Sequence, residues 1–257
     1  HACPWVGGLP DYNCDGKLII SVLGDSLVHG NEDVENGGKG GYVLRTQRAF
    51  PEATVHNYGF PGITTNALTW KVVRAFGKSG NGEMAEALVK SDLIVLDVGR
   101  NDEWSMSYSE TAAALETLRT RIEDHVREIT NYKPLVVTAA LMITKTVKKA
   151  AWIAELNKLI VRSSTKFGPT DLHFDSVPWQ LCGTDRIHPT SKGYSRLARV
   201  FIKYLTTLYP EHVKALRPDR DSDGIYDAFE RSRFGTNPNK ADTDGDGLLD
   251  GEDPEPS

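Results

Sequence analysis

Between residues 17 and 209, short unbroken apolar runs alternate with amphipathic stretches, and this alternation constrains the fold more than any other feature of the sequence. Lys17-Leu18-Ile19-Ile20-Ser21-Val22-Leu23 stops at Gly24. Thr54-Val55-His56-Asn57-Tyr58 is a weaker run, Asp92–Val98 a strong one ended by Gly99, Leu135–Leu141 another, and Asp171-Leu172-His173-Phe174-Asp175 a fifth. Runs of this length suit strands covered on both faces. Helical periodicity fills the gaps. Tyr42–Phe50 stops at Pro51, Thr64–Phe76 at Gly77, and Ser107–Asn131 before Pro134. Val147–Lys166 aligns Trp152, Leu156, Leu159 and Ile160, and Ser191–Tyr209 aligns Leu197, Val200, Phe201, Tyr204 and Leu205 before Pro210. The pattern predicts an α/β three-layer sandwich: a parallel sheet of about five strands with helices on both faces. Such sheets bind ligands beyond the carboxyl ends of their strands.

After Pro210 the periodicity disappears and Asp-Gly turns take over. The organisation read here is an N-terminal segment over 1–16, a large domain over 17–210 and a small acidic module over 211–257, with the boundary near 211–218. A body of this size can bury a core without disulfides. The net charge of -5 gives no general attraction to nucleic acid or to anionic membranes. No apolar run approaches the roughly 18 residues of a membrane span. The start at His1-Ala2-Cys3 fits a processed or trimmed terminus.

Three cysteines cannot all pair internally. Cys3 and Cys14 bracket a Pro- and Gly-rich loop and are the natural disulfide in an oxidising compartment, which leaves Cys182 a free thiol. Cys14 precedes the first strand and Cys182 should lie near the opposite sheet edge, roughly 20 Å away, so these two pair poorly. Cys3 with Cys182 stays open.

Four sites follow strand ends. Gly24-Asp25-Ser26 places a small hydroxyl where the chain must turn, and a serine there can expose both its Oγ and its own N–H; Gly-Asp-Ser is also a common turn. Asp185-Arg186-Ile187-His188 puts a carboxylate three residues before an imidazole in a turn, where one can steer the other, and it also reads as a helix entry with Pro189 and Thr190 or Ser191. Gly99-Arg100-Asn101-Asp102 offers an amide N–H to a developing oxyanion or a loop cap. In Asn57-Tyr58-Gly59-Phe60-Pro61-Gly62, Gly62 can present a bare backbone N–H or simply turn the chain.

All four fall on one sheet edge, and together they resemble the SGNH or GDSL hydrolase family. The blocks read Gly24-Asp25-Ser26-Leu27, Gly62 (with Gly59 nearby), Gly99-Arg100-Asn101-Asp102 and Asp185-x-x-His188, in the family's order over roughly residues 17–209. The resemblance implies a flavodoxin-like fold and an acyl-enzyme mechanism. In it Ser26 is the nucleophile, His188 the base and Asp185 its orienter, and the N–H groups of Ser26 and Gly62 with the Asn101 amide form the oxyanion hole. No cofactor is expected for catalysis. Arg100 departs from the small or apolar residue expected between Gly and Asn. It is expected at the site mouth, affecting substrate choice, or paired with a surface carboxylate.

The acidic module carries two phased loops. Asp219, Asp221 and Asp223 precede Gly224 and are followed by Ile225, Asp227 and Glu230; Asp242, Asp244 and Asp246 precede Gly247 and are followed by Leu248, Asp250 and Asp253. Carboxylates at positions 1, 3 and 5, a turn glycine at 6, a backbone carbonyl at 7 and a closing acid at 12 form an oxygen shell for calcium. A disordered acidic tail is the plain alternative. The two copies resemble thrombospondin type-three repeats, which implies structural Ca2+ and an extracellular, periplasmic or cell-surface setting. The module is expected to contact the hydrolase domain or another extracellular module. A weaker match, Asp11-Asn13-Asp15, has Val22 at its twelfth position and reads first as an Asx-rich turn.

The expected function is therefore a secreted carboxylic ester hydrolase acting on a small ester or acylated carbohydrate, favoured because no greasy lid is evident in the body. Lipase, lysophospholipase or aryl esterase activity is the alternative, with Trp104 and the Met142–Trp152 segment as pocket candidates. A non-catalytic adhesion or scaffold protein is a third reading, disfavoured by intact Ser26, Asp185 and His188.

Overall fold

The structure, a computed structural model, describes residues 5–6, 9–11, 13, 15–77, 82–130, 134–162, 172–207, 220–223, 230, 235–250, 253 and 256. Cys3, Cys14, the 211–218 boundary, Asp219, Ile225 and Asp227 lie outside them. A two-residue ladder pairs β1 (Trp5–Val6) with β2 (Leu9–Pro10). The main sheet has β3 (Ile19–Gly24), β4 (Thr54–Gly59), β5 (Leu93–Asp97) and β6 (Leu135–Thr138), all parallel, in the order β4-β3-β5-β6. Around it lie α1 (Ser26–His29), α2 (Gly41–Ala49), α3 (Thr65–Phe76), α4 (Gly82–Lys90), α5 (Tyr108–Thr130), α6 (Val147–Arg162) and α7 (Ser191–Thr207).

Alternate strand residues serve two separate cores. Ile20, Val22, Leu93, Val95 and Val137 pack under α2 and α7 with Tyr42, Phe174 and Phe201. Leu23, Ile94, Leu96 and Val136 pack under α3 to α6 with Leu68, Leu118 and Leu156. Burial of both faces is why the β3, β5 and β6 runs lack polar alternation, while β4, at the sheet edge, stays half-exposed.

The sheet has four strands among the described residues instead of about five. Leu172 to Asp175 contributes one parallel bridge, His173 to Ala140, and then coils into a 3-10 turn over Phe174–Ser176. Local side-chain bonds draw it away from the ladder: Ser176 Oγ donates to the His173 carbonyl at 2.6 Å, and the His173 ring meets Asp175 at 3.1 Å. Helix α4 was not expected. Its Met84, Ala87 and Leu88, at i, i+3 and i+4 on one face, are buried.

Two acids anchor the periphery. Asp92 accepts from Asn13 N at 3.3 Å and Ile19 N at 2.9 Å, fixing the N-terminal segment to β3. Asp11 takes the N–H groups of Asp15 and Gly16, the bonds of an Asx-rich turn, and Asp242 takes those of Gly245 and Gly247 in the same way. No helix among the described residues is long and apolar enough to cross a membrane.

Asp33 is fully buried between α2 and α7. It pairs with Arg45 and accepts from Ser191 Oγ at 2.9 Å and Asn36 Nδ2 at 2.7 Å. Burial alone would raise its carboxyl pKa, but Arg45, Asn36 and Ser191 outweigh burial and hold it below 3.8. A depressed folded-state pKa means this stabilisation is present above about 3.8 and is lost as pH falls through the folded value. Asp33→Asn is expected to cost on the order of 3 kcal/mol at neutral pH. In denaturant titrations the gap between wild type and variant should close below about pH 4.

Candidate active site

Strand register brings the motifs together. Gly24 on β3 lies opposite Gly59 on β4 and Asp97 on β5. The segments after these three residues therefore leave the same edge side by side, where the strand order changes direction. Gly24 must be glycine, since a Cβ would lie 2.2 Å from the Asp97 carbonyl oxygen. Asp25 then caps α1, accepting from Leu27 N at 3.0 Å. Ser26 is the first residue of α1, so its N–H has no intrahelical acceptor.

His188 arrives from the far end of the chain. Its Nε2 lies 2.8 Å from Ser26 Oγ, and its Nδ1 lies 2.5 Å from Asp185 Oδ2. The other Asp185 oxygen accepts from the backbone N–H of Ile187 at 2.9 Å and of His188 at 3.0 Å. Arg186 makes this turn possible with a left-handed φ of 66°. Partial burial pulls the Asp185 carboxyl upward, but those N–H bonds and the ring overcome it, leaving the pKa below its ordinary value. The loop is braced by Lys145, whose N–H donates to the Arg186 carbonyl at 3.0 Å and whose Nζ donates to the Cys182 carbonyl at 2.6 Å. Cys182 is a free, buried thiol directed at the Ile187 carbonyl, and burial pushes its pKa up. Thr190 caps α7, so the helix-entry reading of this turn holds alongside the other.

The two remaining motifs meet across the crevice. Asn101 Nδ2 donates to the Ile63 carbonyl at 3.0 Å, leaving its second amide hydrogen for a ligand. Asp102 accepts from Thr65 N at 2.9 Å at the start of α3. Gly62 has φ +77° with open space where a Cβ would be, and its N–H has no acceptor among the described residues. Gly59 instead donates its N–H to Asn57 Oδ1 at 3.0 Å, so Gly62 is the glycine with a presentable N–H. An indole is exposed on the same loop: Trp104, three residues after Asn101, is 81% exposed, with the Lys148 ammonium 5.9 Å from its ring.

Arg100 does not reach the mouth. It is 2% exposed, and its fork spans Asp25 Oδ2 at 3.2 Å and Asp97 Oδ1 at 2.6 Å. Tyr42 Oη donates to the other Asp97 oxygen at 2.9 Å. The surface or rim position expected from the sequence is wrong because two buried carboxylates attract the guanidinium inward. Burial raises the Asp97 pKa against the pull of Arg100, while the two carboxylates raise that of Arg100. Asp97 and Tyr42 were not anticipated. The available signal was one acid at the end of the otherwise apolar Leu93–Asp97 strand.

In the tail, carboxylate oxygens of Asp221, Asp223 and Glu230 lie within 4.8 Å of one another, as do those of Asp242, Asp244 and Asp246. Both Asp221 oxygens are buried without a hydrogen-bond donor among the described residues, which fits a cation. Asp250 and Asp253 are not among the acids whose oxygens gather within 4.8 Å in that loop. The Asp250 carboxylate instead takes the N–H and hydroxyl of Thr243, each at 2.6 Å, because that turn supplies two donors at close range. Arg199 on α7 donates to the Asp250 carbonyl at 2.7 Å, joining tail and body.

A parallel sheet with a Ser–His–Asp chain at its carboxyl edge is the design of an α/β ester hydrolase. Residues 22–196 match the model of the GDSL-like lipase/acylhydrolase family, and the chain belongs to that family. Residues 219–241 match the bacterial TSP3 repeat. Among solved structures, an aryl esterase from M. smegmatis is similar at 18% identity and TM-score 0.58, covering 75% of this chain and 100% of its own. A carbohydrate acetylesterase from Sinorhizobium meliloti gives 16%, 0.57, 75% and 100%. A lipase from a goat rumen metagenome gives 19%, 0.56, 72% and 96%. No curated protein matches the sequence.

Proposed function

We propose that this ester hydrolase is a secreted serine esterase acting on acetylated carbohydrate or another small polar ester. The observation that carries the chemistry is His188 Nε2 at 2.8 Å from Ser26 Oγ with its other nitrogen on Asp185. Ser26 Oγ attacks the ester carbonyl carbon while His188 Nε2 takes its proton. The resulting oxyanion is met by the N–H groups of Ser26 and Gly62 and the free Asn101 amide hydrogen. Collapse breaks the bond to the leaving alkoxide, which takes the proton from His188. Water, deprotonated by His188, then attacks the acyl-Ser26 carbonyl carbon; the bond to Ser26 Oγ breaks, Oγ takes the proton back from His188, and the acid leaves. Asp185, with its lowered pKa, stays ionised through the neutral range and holds the ring in one tautomer.

The solved relatives include an aryl esterase, a carbohydrate acetylesterase and a lipase, so the choice of substrate rests on this chain. Trp104 supports a sugar ester. An exposed indole beside the Asn101 loop offers a flat apolar face of the kind that stacks on a sugar ring. Extracellular calcium is near the affinity range of such acidic loops, and Asp221, Asp223 and Glu230 would hold it in the first loop. That agreement supports a secreted setting.

Wild type should hydrolyse p-nitrophenyl acetate and acetylated oligosaccharides faster than long-chain esters, and Ser26→Ala should abolish both. Equal rates for wild type and Ser26→Ala, or no rate for either, would sink the esterase reading. Preference for long acyl chains would sink the polar-ester reading alone. Chelation should lower the melting temperature by about 5 °C, the effect of roughly 2 kcal/mol of linked binding. Added calcium should restore it, while activity at 25 °C persists in chelator.

A further inference from the structure

Ester hydrolysis by Ser26 needs the nucleophile and its oxyanion donors held at fixed spacing, yet those donors sit on three separate loops. Asn101 is tied to the Gly62 loop through the Ile63 carbonyl. The Gly24-Asp25-Ser26 loop meets the Gly62 loop through Phe60 N, which donates to the Gly24 carbonyl at 2.9 Å, and Arg100 supplies its side-chain bridge to the Asn101 loop. Its Nη1 lies 3.2 Å from Asp25 Oδ2, one residue before the nucleophile, and Arg100 itself is one residue before Asn101. The same guanidinium is fixed from below by Asp97 Oδ1 at 2.6 Å, with Tyr42 holding the opposite Asp97 oxygen. Asp25 is doubly held, since its Oδ1 also takes Leu27 N. The backbone contact between these loops is weaker, Asp25 N to the Asp97 carbonyl at 3.4 Å.

A buried cation between two carboxylates is a poor way to stabilise a core, since apolar side chains of similar volume do as well or better. What the planar fork supplies is direction: two carboxylates bound at a set angle and separation. We infer that Arg100 is a positioning residue that sets the distance between the Ser26 N–H and the Asn101 amide through Asp25 and Asp97. This rests on the Ser26 esterase reading. Donors to an oxyanion act mainly in the transition state, so misplacing them lowers kcat and leaves KM nearly unchanged.

The test compares Arg100→Met and Arg100→Lys with wild type on p-nitrophenyl acetate, using protein shown folded by circular dichroism. Lysine keeps the buried charge but not the fork, and so serves if the Met variant fails to fold. Both are expected to lose about 10- to 100-fold in kcat with KM within about twofold. The inhibition constant of phenylboronic acid, which forms a tetrahedral anion on a nucleophilic serine, should rise by the same factor. In an Asn101→Ala background the Arg100 substitution should cost much less, because the donor it positions is gone. A folded variant with wild-type kcat overturns the inference, as does a loss that is fully additive with Asn101→Ala or confined to KM. An inactive wild type, or one indifferent to Ser26→Ala, would overturn the esterase reading itself.

Discussion

A guanidinium with 2% exposure, shared by two buried carboxylates, sits directly beneath the crevice. Withdrawing each of these charges from water costs several kcal/mol, which the ion pairs offset even though Arg100 Nε has no acceptor among the described residues. Arg100 therefore fixes the surroundings as well as itself. Asp97 must end β5 opposite Gly24, Asp25 must turn inward as the cap of α1, and Tyr42 must direct its hydroxyl from α2. Once these are set, Ser26 has one position at the start of α1, and Asn101 follows directly after the fixed Arg100. Glycine at 24 is part of the same constraint, because β5 passes too close for any side chain.

The opposite wall depends on a different device. The Asp185–His188 turn is assembled from local hydrogen bonds, with one Asp185 oxygen taking two backbone N–H groups and the other the ring. Arg186 adopts a left-handed conformation to permit it, and Lys145 pins the turn from outside through two carbonyls. A turn built this way needs no core of its own. It carries the imidazole to Ser26 across 162 residues of sequence at 2.8 Å.

Much of this was legible in the sequence because the relevant signals are local. Unbroken apolar runs identify strands buried on both faces, and a motif following each run falls at the carboxyl edge of a parallel sheet. Ser26, Gly62, Asn101, Asp185 and His188 all lie at that edge or reach it. The failures arose where the choice of side-chain partner decides, whether that partner is near or far in sequence. Whether Arg100 points outward or inward depends on Asp25 and Asp97, the first 75 residues away. The segment after Leu172 has strand composition, but its His173, Asp175 and Ser176 bond among themselves and it coils after one bridge. In the tail, the spacing of Asp242, Asp244 and Asp246 was sufficient to predict their convergence. The Thr243 bonds that the Asp250 carboxylate accepts were not legible from spacing.

The central claim, that Ser26 is a nucleophile activated by His188, is tested most directly by covalent capture. A fluorophosphonate probe should label wild type at a single residue, identified by peptide mass spectrometry as Ser26. Labelling should vanish in Ser26→Ala and slow by about 1,000-fold or more in His188→Ala. Labelling that persists in Ser26→Ala, or that proceeds at the wild-type rate without the imidazole, would contradict the account.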